Sequence, residues 1–528
     1  MKPSQKIVIV GGGSAGWMAA SSLVSQLESA DITLIESPYV PSIGVGESTL
    51  AGLPAWLRAI GVDHKDFMEF TDASYKFSIR FVDFHKLGDG GFHYPFGHPT
   101  LENCQLPGAN DWHVMKLLLP ETTTTQSYVD SLFPQSVLFN NRKLKNPKDG
   151  ELGPFRLDRD YALHFDAIKF AEWLSERFAK PRGVKHIEAN VNDIITNENG
   201  IEKIILEDGT EVFADIFVDC TGFKSMLLGK AMNEPFVSWS DRLPVNHAWA
   251  VQLPYENPDE EVDLYTNCTA LGHGWVWNAP LYSRIGTGYV YSDKFTTKEE
   301  ALEEFKVYLA KDKGAHRVPA DSAFRHIDFK TGTYARTWVK NVVGIGLSAA
   351  FLEPLESNGL FFIHESSMML ARLLSRGYVN AIDRDFFNGI TRKHFESFAT
   401  FLEYHYCLSS RRDTKFWEYM TTMERAPELW SAPPNTPFLE ELIDKTQGQS
   451  WRAAIDSGFH CIAVGHEYYP IFKASIPYWE HANHGANYEQ IAGNFYIRTE
   501  KLQKKWNDFI KNAPTHYQFL KENYHNEK

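Results

Sequence analysis

The sequence predicts an α/β fold elaborated by a mainly helical C-terminal region, and three stretches carry that expectation. The apolar run Ile7 to Val10 leads into Gly11-Gly12-Gly13-Ser14-Ala15-Gly16, an alanine-rich helical stretch to about Leu27, and a second apolar run, Ile32 to Ile35, that ends at Glu36. A meander broken at Asn199-Gly200 and Asp208-Gly209 closes on the strand-like Ala214 to Asp219 and then Cys220-Thr221-Gly222. A third apolar strand, Asn341 to Leu347, runs into Glu353-Pro354-Leu355-Glu356-Ser357-Asn358-Gly359, and from about Ala371 the chain reads mainly helical.

The first stretch is a βαβ unit with glycines at its turn. Gly11, Gly13, Ser14, Ala15 and Gly16 lie where backbone N–H groups and a helix N-terminus meet a pyrophosphate, and Glu36, 20 residues after Gly16, suits an acid that binds a ribose hydroxyl. The glycine pattern alone is weak; strand, helix, second strand and terminal acid together define a nucleotide site. Phe165 to Leu174 has helical apolar spacing. The order of helix, hairpins and an apolar strand closing on Thr-Gly resembles the flavoprotein fold, which favours FAD over NAD. A helix starting near Gly359 would point N–H groups at an anion. In Gly274 to Pro280, Trp275 and Trp277 share one face of a strand that Pro280 ends; on spacing alone this is an aromatic core or edge strand.

With 528 residues, 43% of them hydrophobic and 14% aromatic, the chain is long enough and apolar enough to fold around a large core. A formal net charge of −14 argues against nucleic-acid binding, which needs a basic face, and leaves a small molecule or a protein as partner. Five scattered cysteines read as reduced thiols. Met1 to Lys6 lead straight into the first strand with no leader, and no apolar run reaches membrane-spanning length, so a cytoplasmic protein with no membrane partner is expected. His481 and His484 read as a surface pair, and no metal site is expected.

Over nearly the whole chain, an ordered set of motifs resembles the flavin-dependent halogenases of the tryptophan halogenase family. The set comprises Gly11 to Gly16, Val45-Gly46-Glu47-Ser48-Thr49, Tyr75-Lys76-Phe77 with Arg80-Phe81, the Trp275/Trp277 segment, Phe351 to Ser357, and His405 to Arg411. The resemblance implies a Rossmann-like, FAD-binding flavoprotein-monooxygenase core over 1–370, with an inserted β-sheet region on the substrate side, and a mainly helical substrate-binding region over 371–528. It implies that FADH2 and O2 turn a halide ion into hypohalous acid, which passes through a tunnel to a small aromatic substrate. No second dinucleotide fingerprint is visible, so a separate NADH-dependent flavin reductase is the expected partner. A homodimer is compatible with this reading.

Residue by residue, the resemblance makes Lys76 the essential lysine and Glu356 the catalytic glutamate. It adds Val45, Gly46, Glu47, Ser48, Val191, Leu347 and Leu360 to the cofactor contacts, assigns the halide to Asn358 and Gly359, and makes Trp275, Trp277 and Pro280 a wall between flavin and substrate. Lys76 can polarise hypohalous acid as an ammonium or be halogenated as an amine, and both roles stay open. Glu356 can stabilise a cationic arenium and take its proton. The plain alternatives are a solvated strand lysine and a helix-capping acid.

Three departures from the family pattern matter. Asn358 stands where threonine is usual, which points to bromide or iodide over chloride; Ala279 replaces an isoleucine in the wall. The stretch Ser457-Gly458-Phe459-His460-Cys461 replaces a pair of tyrosines, which points to Phe459 and His460 as substrate contacts and to an indole, phenol or pyrrole rather than free tryptophan. The competing readings are a flavin-dependent aromatic hydroxylase and an inactive flavin-binding protein. Gly346-Leu347-Ser348 in place of a late Gly-Asp argues against the first, and retention of Lys76 and Glu356 against the second.

Overall fold

The computed structural model describes residues 5–39, 47–100, 104, 110–145, 152–422, 458, 461–467 and 487–526. The chain forms two units interleaved in sequence: Met1–Ser74, Ala162–Pro254 and Leu281–Ala399 in the first, and Tyr75–Tyr161, Tyr255–Pro280 and Thr400–Lys528 in the second.

The first unit is built on a six-stranded sheet in the order Trp338–Val339, Val342–Gly344, Ile216–Asp219, Lys6–Val10, Asp31–Glu36 and Lys185–Glu188. All pairings are parallel except the one at the Trp338–Val339 edge. Parallel strands covered on both faces need continuous apolar runs, and Ile7 to Val10 are all buried. Val8, Val10, Ile35, Phe217 and Val342 join Ile201, Ile204 and Leu206 of the meander in one core cluster. The meander strands Val191–Asn197, Gly200–Leu206 and Glu211–Val212 thus cover one face of the sheet. On Ser14–Gln26, the helix that follows the first strand, packs the helix Gly359–Leu374. The sequence expectation of a helix over Phe165 to Leu174 is refined. Ala162–Phe165 is a strand, Asp166 caps the helix Ala167–Trp173 by accepting from Ile168 and Lys169 N–H, and a π-helical turn, Leu174–Ala179, extends it.

A second sheet region of this unit has His247–Pro254 between Arg284–Tyr291 and Arg325–Asp328, both antiparallel to it. The helix Lys298–Lys313, started by a Thr297/Glu300 capping box, follows.

In the second unit, Tyr265–Ala270 pairs antiparallel with Gly274–Pro280 and parallel with Ser78–Val82, which pairs antiparallel with Gly91–Pro95. As expected, the C-terminal part of the chain is helical where described: Ala381–Cys407, most of which belongs to the first unit, and, in the second, Lys415–Thr422, Tyr488–Ile510 and His516–Tyr524. Among the described residues no helix is long and apolar enough to cross a membrane, and the five cysteines form no disulfide.

His516 is the pivot of the second unit. Fully buried, it accepts the Tyr75 N–H at Nε2 (3.2 Å) and donates from Nδ1 to the Val262 carbonyl (3.1 Å). Burial, opposed by the Val262 and Asp263 carbonyls, lowers its pKa from 6.5 to about 3, which keeps the neutral tautomer these two bonds require. His516→Leu strands two buried backbone groups and is expected to cost about 2–5 kcal/mol. Above pH 6.5 the group is neutral in both folded and unfolded chains. As pH falls below that value the unfolded chain takes up a proton that the native state refuses until about pH 3. Stability is therefore lost on acidification by up to about 1.4 kcal/mol per pH unit from this group. Urea unfolding at several pH values checks both statements: the wild type should show a steeper acid-side loss than His516→Leu, and equal slopes contradict the assignment.

Candidate active site

In the first unit the glycine turn is fixed by close backbone approach. Gly11 has φ +116°, and a Cβ there would lie 2.2 Å from the Cys220 carbonyl oxygen; one on Gly16 would lie 1.8 Å from the Gly11 carbonyl oxygen. A Cβ on Gly12 would overlap the Glu36 carboxyl group at 1.9 Å, whereas one on Gly13 would meet nothing within 4 Å. The turn is thus tight toward its own strands and open at Gly13, where the helix Ser14–Gln26 begins without a side-chain cap. Its first N–H groups are available to a phosphate.

Glu36 ends the second strand with its carboxylate 3.1 Å from His186 Nε2. Burial raises its pKa, and His186 and Trp17 work the other way. His186 escaped the sequence reading, because only the parallel pairing of Asp31–Glu36 with Lys185–Glu188 brings it beside Glu36. Open glycine backbone, an uncapped helix start and a carboxylate at the end of the next strand fit the diphosphate and ribose of a dinucleotide such as FAD.

Asp219, at the end of Ile216–Asp219, is fully buried and accepts from Leu227, Leu228 and Thr221 N–H at 2.7–3.0 Å. Ser348 Oγ donates to the Asp219 and Ile345 carbonyls, and Ser225 Oγ donates to the Ser348 carbonyl at 2.8 Å. This ties the turn Gly346–Ser348, which carries Leu347, to the central strands. Gly346, at φ +74°, comes so close to Ala15 that a Cβ would lie 2.8 Å from the alanine Cβ. Leu360 is buried in the first turn of Gly359–Leu374, and Val191 begins the first meander strand, packed against the core cluster.

Glu356 lies in the short 3-10 turn Pro354–Glu356 and is 1% exposed. Ser357 follows in the left-handed conformation (φ 55°), and its hydroxyl donates to Ser48 Oγ at 3.1 Å. Ser48 and Glu47 form a short strand paired with His164 and Phe165. Asn358 is buried at the N-cap position but caps nothing; its Nδ2 donates to the Glu353 carbonyl at 3.4 Å. Gly359 is exposed, with open space where a Cβ would be. The first N–H groups of this 16-residue helix are therefore not taken by a capping side chain.

In the second unit Lys76 is fully buried, with Nζ 5.1 Å from the centroid of the Phe96 ring. The solvated alternative for this lysine does not hold. Its neighbours are pinned on both sides. Tyr75 N–H donates to His516 and Tyr75 Oη lies 2.7 Å from Tyr524 Oη; Phe77 N–H donates to the Leu264 carbonyl at 2.6 Å, and Phe96 N–H to the Phe77 carbonyl at 2.8 Å. Gln135 Nε2 donates to the Phe96 carbonyl at 2.5 Å, fixing the ring's backbone.

Trp275 and Trp277 sit on one strand with ring centroids 6.3 Å apart, edge to face; Trp275 is fully buried and Trp277 partly so, and Ala279 and Pro280 are buried. Arg411 holds the loops at the ends of this sheet. Its guanidinium donates to the Asp83, Ala270 and Leu271 carbonyls and to Asp413, and stacks 4.4 Å from Trp417. Val45, Gly46, Phe459 and His460 lie outside the described residues.

A family profile described as "Tryptophan halogenase" matches residues 6–436. The tryptophan 7-halogenase RebH of Lentzea aerocolonigenes is 36% identical over 427 residues, covering 78% of each chain. The tryptophan 6-halogenase ThaL of Streptomyces albogriseolus is 34% identical over 440 residues, 80% of each. Among solved structures, VirX1 in its apo form superposes with a TM-score of 0.87 at 35% identity, covering 99% of this chain and 100% of its own. The tryptophan 6-halogenase SttH of Streptomyces toxytricini gives 0.80 at 28% identity, covering 98% and 99%. A match of this extent, running through the glycine turn, the buried lysine strand, the tryptophan strand and the buried glutamate turn, means that the chain belongs to the tryptophan halogenase family, flavin-dependent enzymes that halogenate aromatic substrates.

Proposed function

We propose that the chain uses Lys76 and Glu356 to deliver an electrophilic halogen to an electron-rich indole, phenol or pyrrole, with bromide or iodide preferred over chloride. The observation that carries this reading is the complete burial of Lys76 on a strand pinned at both neighbouring residues. Burial takes the amine out of water, where its charge state and hydrogen bonding are set by the protein, and a rigid support is what positioned chemistry requires.

When bound, FADH2 with O2 supplies the oxidising power that turns halide into hypohalous acid. The glycine turn and Glu36 would hold its diphosphate and ribose, with Leu347, Leu360, Val191 and the Val45 to Ser48 stretch contributing further contacts. The uncapped N–H groups at Asn358 and Gly359 would hold the halide. An asparagine side chain turned onto the Glu353 carbonyl leaves those donors to the anion, and bromide and iodide are larger, easier to dehydrate and easier to oxidise than chloride.

Lys76 would hold hypohalous acid and polarise it through the oxygen, or carry the halogen on its nitrogen. In the first case the oxygen leaves as water, taking a proton from the ammonium, as the arene attacks the halogen; in the second, water leaves when the amine is halogenated, and the amine is released as the arene takes the halogen. Glu356, as a carboxylate, would stabilise the arenium cation and take the ring proton. Trp275, Trp277 and Pro280 would keep the arene from the flavin, so that halide is oxidised rather than the ring. The lack of a tyrosine pair at Ser457 to Cys461 supports a substrate less polar than an amino acid. A separate NADH-dependent reductase would supply FADH2.

Lys76→Ala should lower halogenation by about 10²–10⁴-fold while FAD affinity, read by fluorescence titration, is unchanged; retained turnover in this variant sinks the role of the lysine. A panel of indoles, phenols and pyrroles with FAD, a reductase and O2, read by mass spectrometry, separates halogenation from hydroxylation, because only the former product changes mass with the halide supplied. In equimolar halide mixtures the brominated or iodinated product should exceed the chlorinated one, and Asn358→Thr should move the ratio toward chloride. A chloride excess in the unmodified enzyme removes the proposed preference.

A further inference from the structure

Among the described residues, His247, His326 and Asp328 form a group whose donor atoms all lie within 4.8 Å of one another. The juxtaposition follows from strand pairing in the first unit. His247 begins the strand His247–Pro254 and stands directly opposite Asp328 of Arg325–Asp328 in the antiparallel register. His326 is two residues before Asp328 on the same strand and so shares its face. The two imidazoles stack with centroids 5.3 Å apart and planes at 25°. Both aim Nδ1 at the same carboxylate oxygen: His247 Nδ1 lies 2.7 Å and His326 Nδ1 3.1 Å from Asp328 Oδ1.

The other ring nitrogens are also held. His247 Nε2 lies 3.1 Å from Asp293 Oδ2, and His326 Nε2 lies 2.9 Å from Tyr291 Oη. That is the outer arrangement of a histidine metal ligand, in which one nitrogen binds the ion and the opposite N–H is held by a carboxylate or another acceptor that fixes the tautomer. We propose that His247, His326 and Asp328 bind a divalent ion of the zinc class, through the two Nδ1 atoms and one carboxylate oxygen, with Asp293 and Tyr291 orienting the rings and water completing the coordination.

Ligands at 2.0–2.1 Å in a tetrahedral shell stand roughly 3.3 Å apart, so the two nitrogen-to-carboxylate spacings of 2.7 and 3.1 Å must open by about 0.6 and about 0.2 Å around an ion. The Asp328 side chain, 74% exposed, is free to make that adjustment and leaves the site open to solvent. Neutral imidazoles carry their proton on Nε2 when the ion is bound, so His247 donates to Asp293 and His326 to Tyr291. A proton carried on Nδ1 in the free protein moves to Nε2 or is released as the ion binds, and no redox change occurs. The two-histidine, one-carboxylate donor set suits Zn²⁺, with Co²⁺ as a spectroscopic substitute and Ni²⁺ or Cu²⁺ as competitors. The ion would join two adjacent strands to the turn that carries Asp293, so its expected effect is added stability of the folded unit.

The test uses the full chain stripped of metal with a chelator and titrated with Co²⁺, then with Zn²⁺ in competition. One equivalent should bind with visible absorption bands displaced by Zn²⁺, and Zn²⁺ should raise the melting temperature. Asp328→Asn, nearly isosteric and exposed, and His326→Ala should each weaken that equivalent by at least about tenfold, and Asp293→Asn by about 10–100-fold. FAD binding by each variant checks that the fold is intact. Absence of a bound equivalent in the unaltered protein, or equal Co²⁺ affinity in unaltered protein, Asp328→Asn and His326→Ala, overturns the proposal.

Discussion

The contact on which the rest of the first unit depends is the approach of Gly11 to the end of the neighbouring strand. With no side chain at Gly11, the first strand can turn over the Cys220 carbonyl, and with none at Gly16 the following helix can pass the Gly11 carbonyl. Any Cβ at either place would sit inside van der Waals distance of backbone, which cannot move without shifting a central strand. Once the helix is set that close, its first turn faces open space at Gly13, and the Glu36 carboxylate takes the room that Gly12 leaves. The anion-ready helix start is thus a consequence of packing.

The same tightness propagates along the central strands. Cys220 follows Asp219, whose buried carboxylate gathers three backbone N–H groups from the segment after it. Burial raises the Asp219 pKa, while those donors act to lower it. The Asp219 carbonyl in turn accepts from Ser348, which fixes the turn containing Gly346 against Ala15. From there the chain has only Ala349 to Asn358, including the short strand Ala350–Phe351, in which to reach the helix that packs back on the first one. The buried Glu356 and the left-handed Ser357 lie in that short connection. A non-glycine residue held at φ 55° is a sign that the surroundings dictate the backbone there.

The glycine turn, Glu36, the meander and the helix start at Gly359 were legible because each depends on local pattern: apolar runs, glycines at turns, an acid at a strand end. The contacts of His186, His516 and Arg411 were not, because their partners are far away in sequence. Tyr75 and His516 are separated by 441 residues, and Arg411 reaches carbonyls 140 or more residues upstream. Nothing in the composition around His516 marks it as different from a surface histidine. The interleaving of the two units has the same origin, since strand partners such as Tyr265–Ala270 and Ser78–Val82 meet only through parallel pairing across a long crossover. Lys76 was visible through its motif, whereas its burial was not, because it alternates with Ser74, Ser78 and Arg80, a pattern that reads as a polar face, while Tyr75, Phe77, Ile79 and Phe81 supply the apolar one.

The support of Lys76 shows why a histidine is suited to position 516. The gap between the Tyr75 N–H and the Val262 carbonyl needs one group that accepts on one side and donates on the other, with no charge in a fully buried place. A neutral imidazole does both with its two ring nitrogens held rigidly apart. Glutamine has the same donor and acceptor but more rotatable bonds to immobilise, and serine is too short to span the gap. Because the imidazole is locked by the Val262 carbonyl, the Tyr75 amide is held in one place, and with it the backbone that presents Lys76. The Tyr75 and Tyr524 hydroxyl contact adds a second tie from the same C-terminal helix. A lysine amine removed from water can act reproducibly only if its backbone does not wander, and two ties from a helix some 440 residues away in sequence supply that constraint.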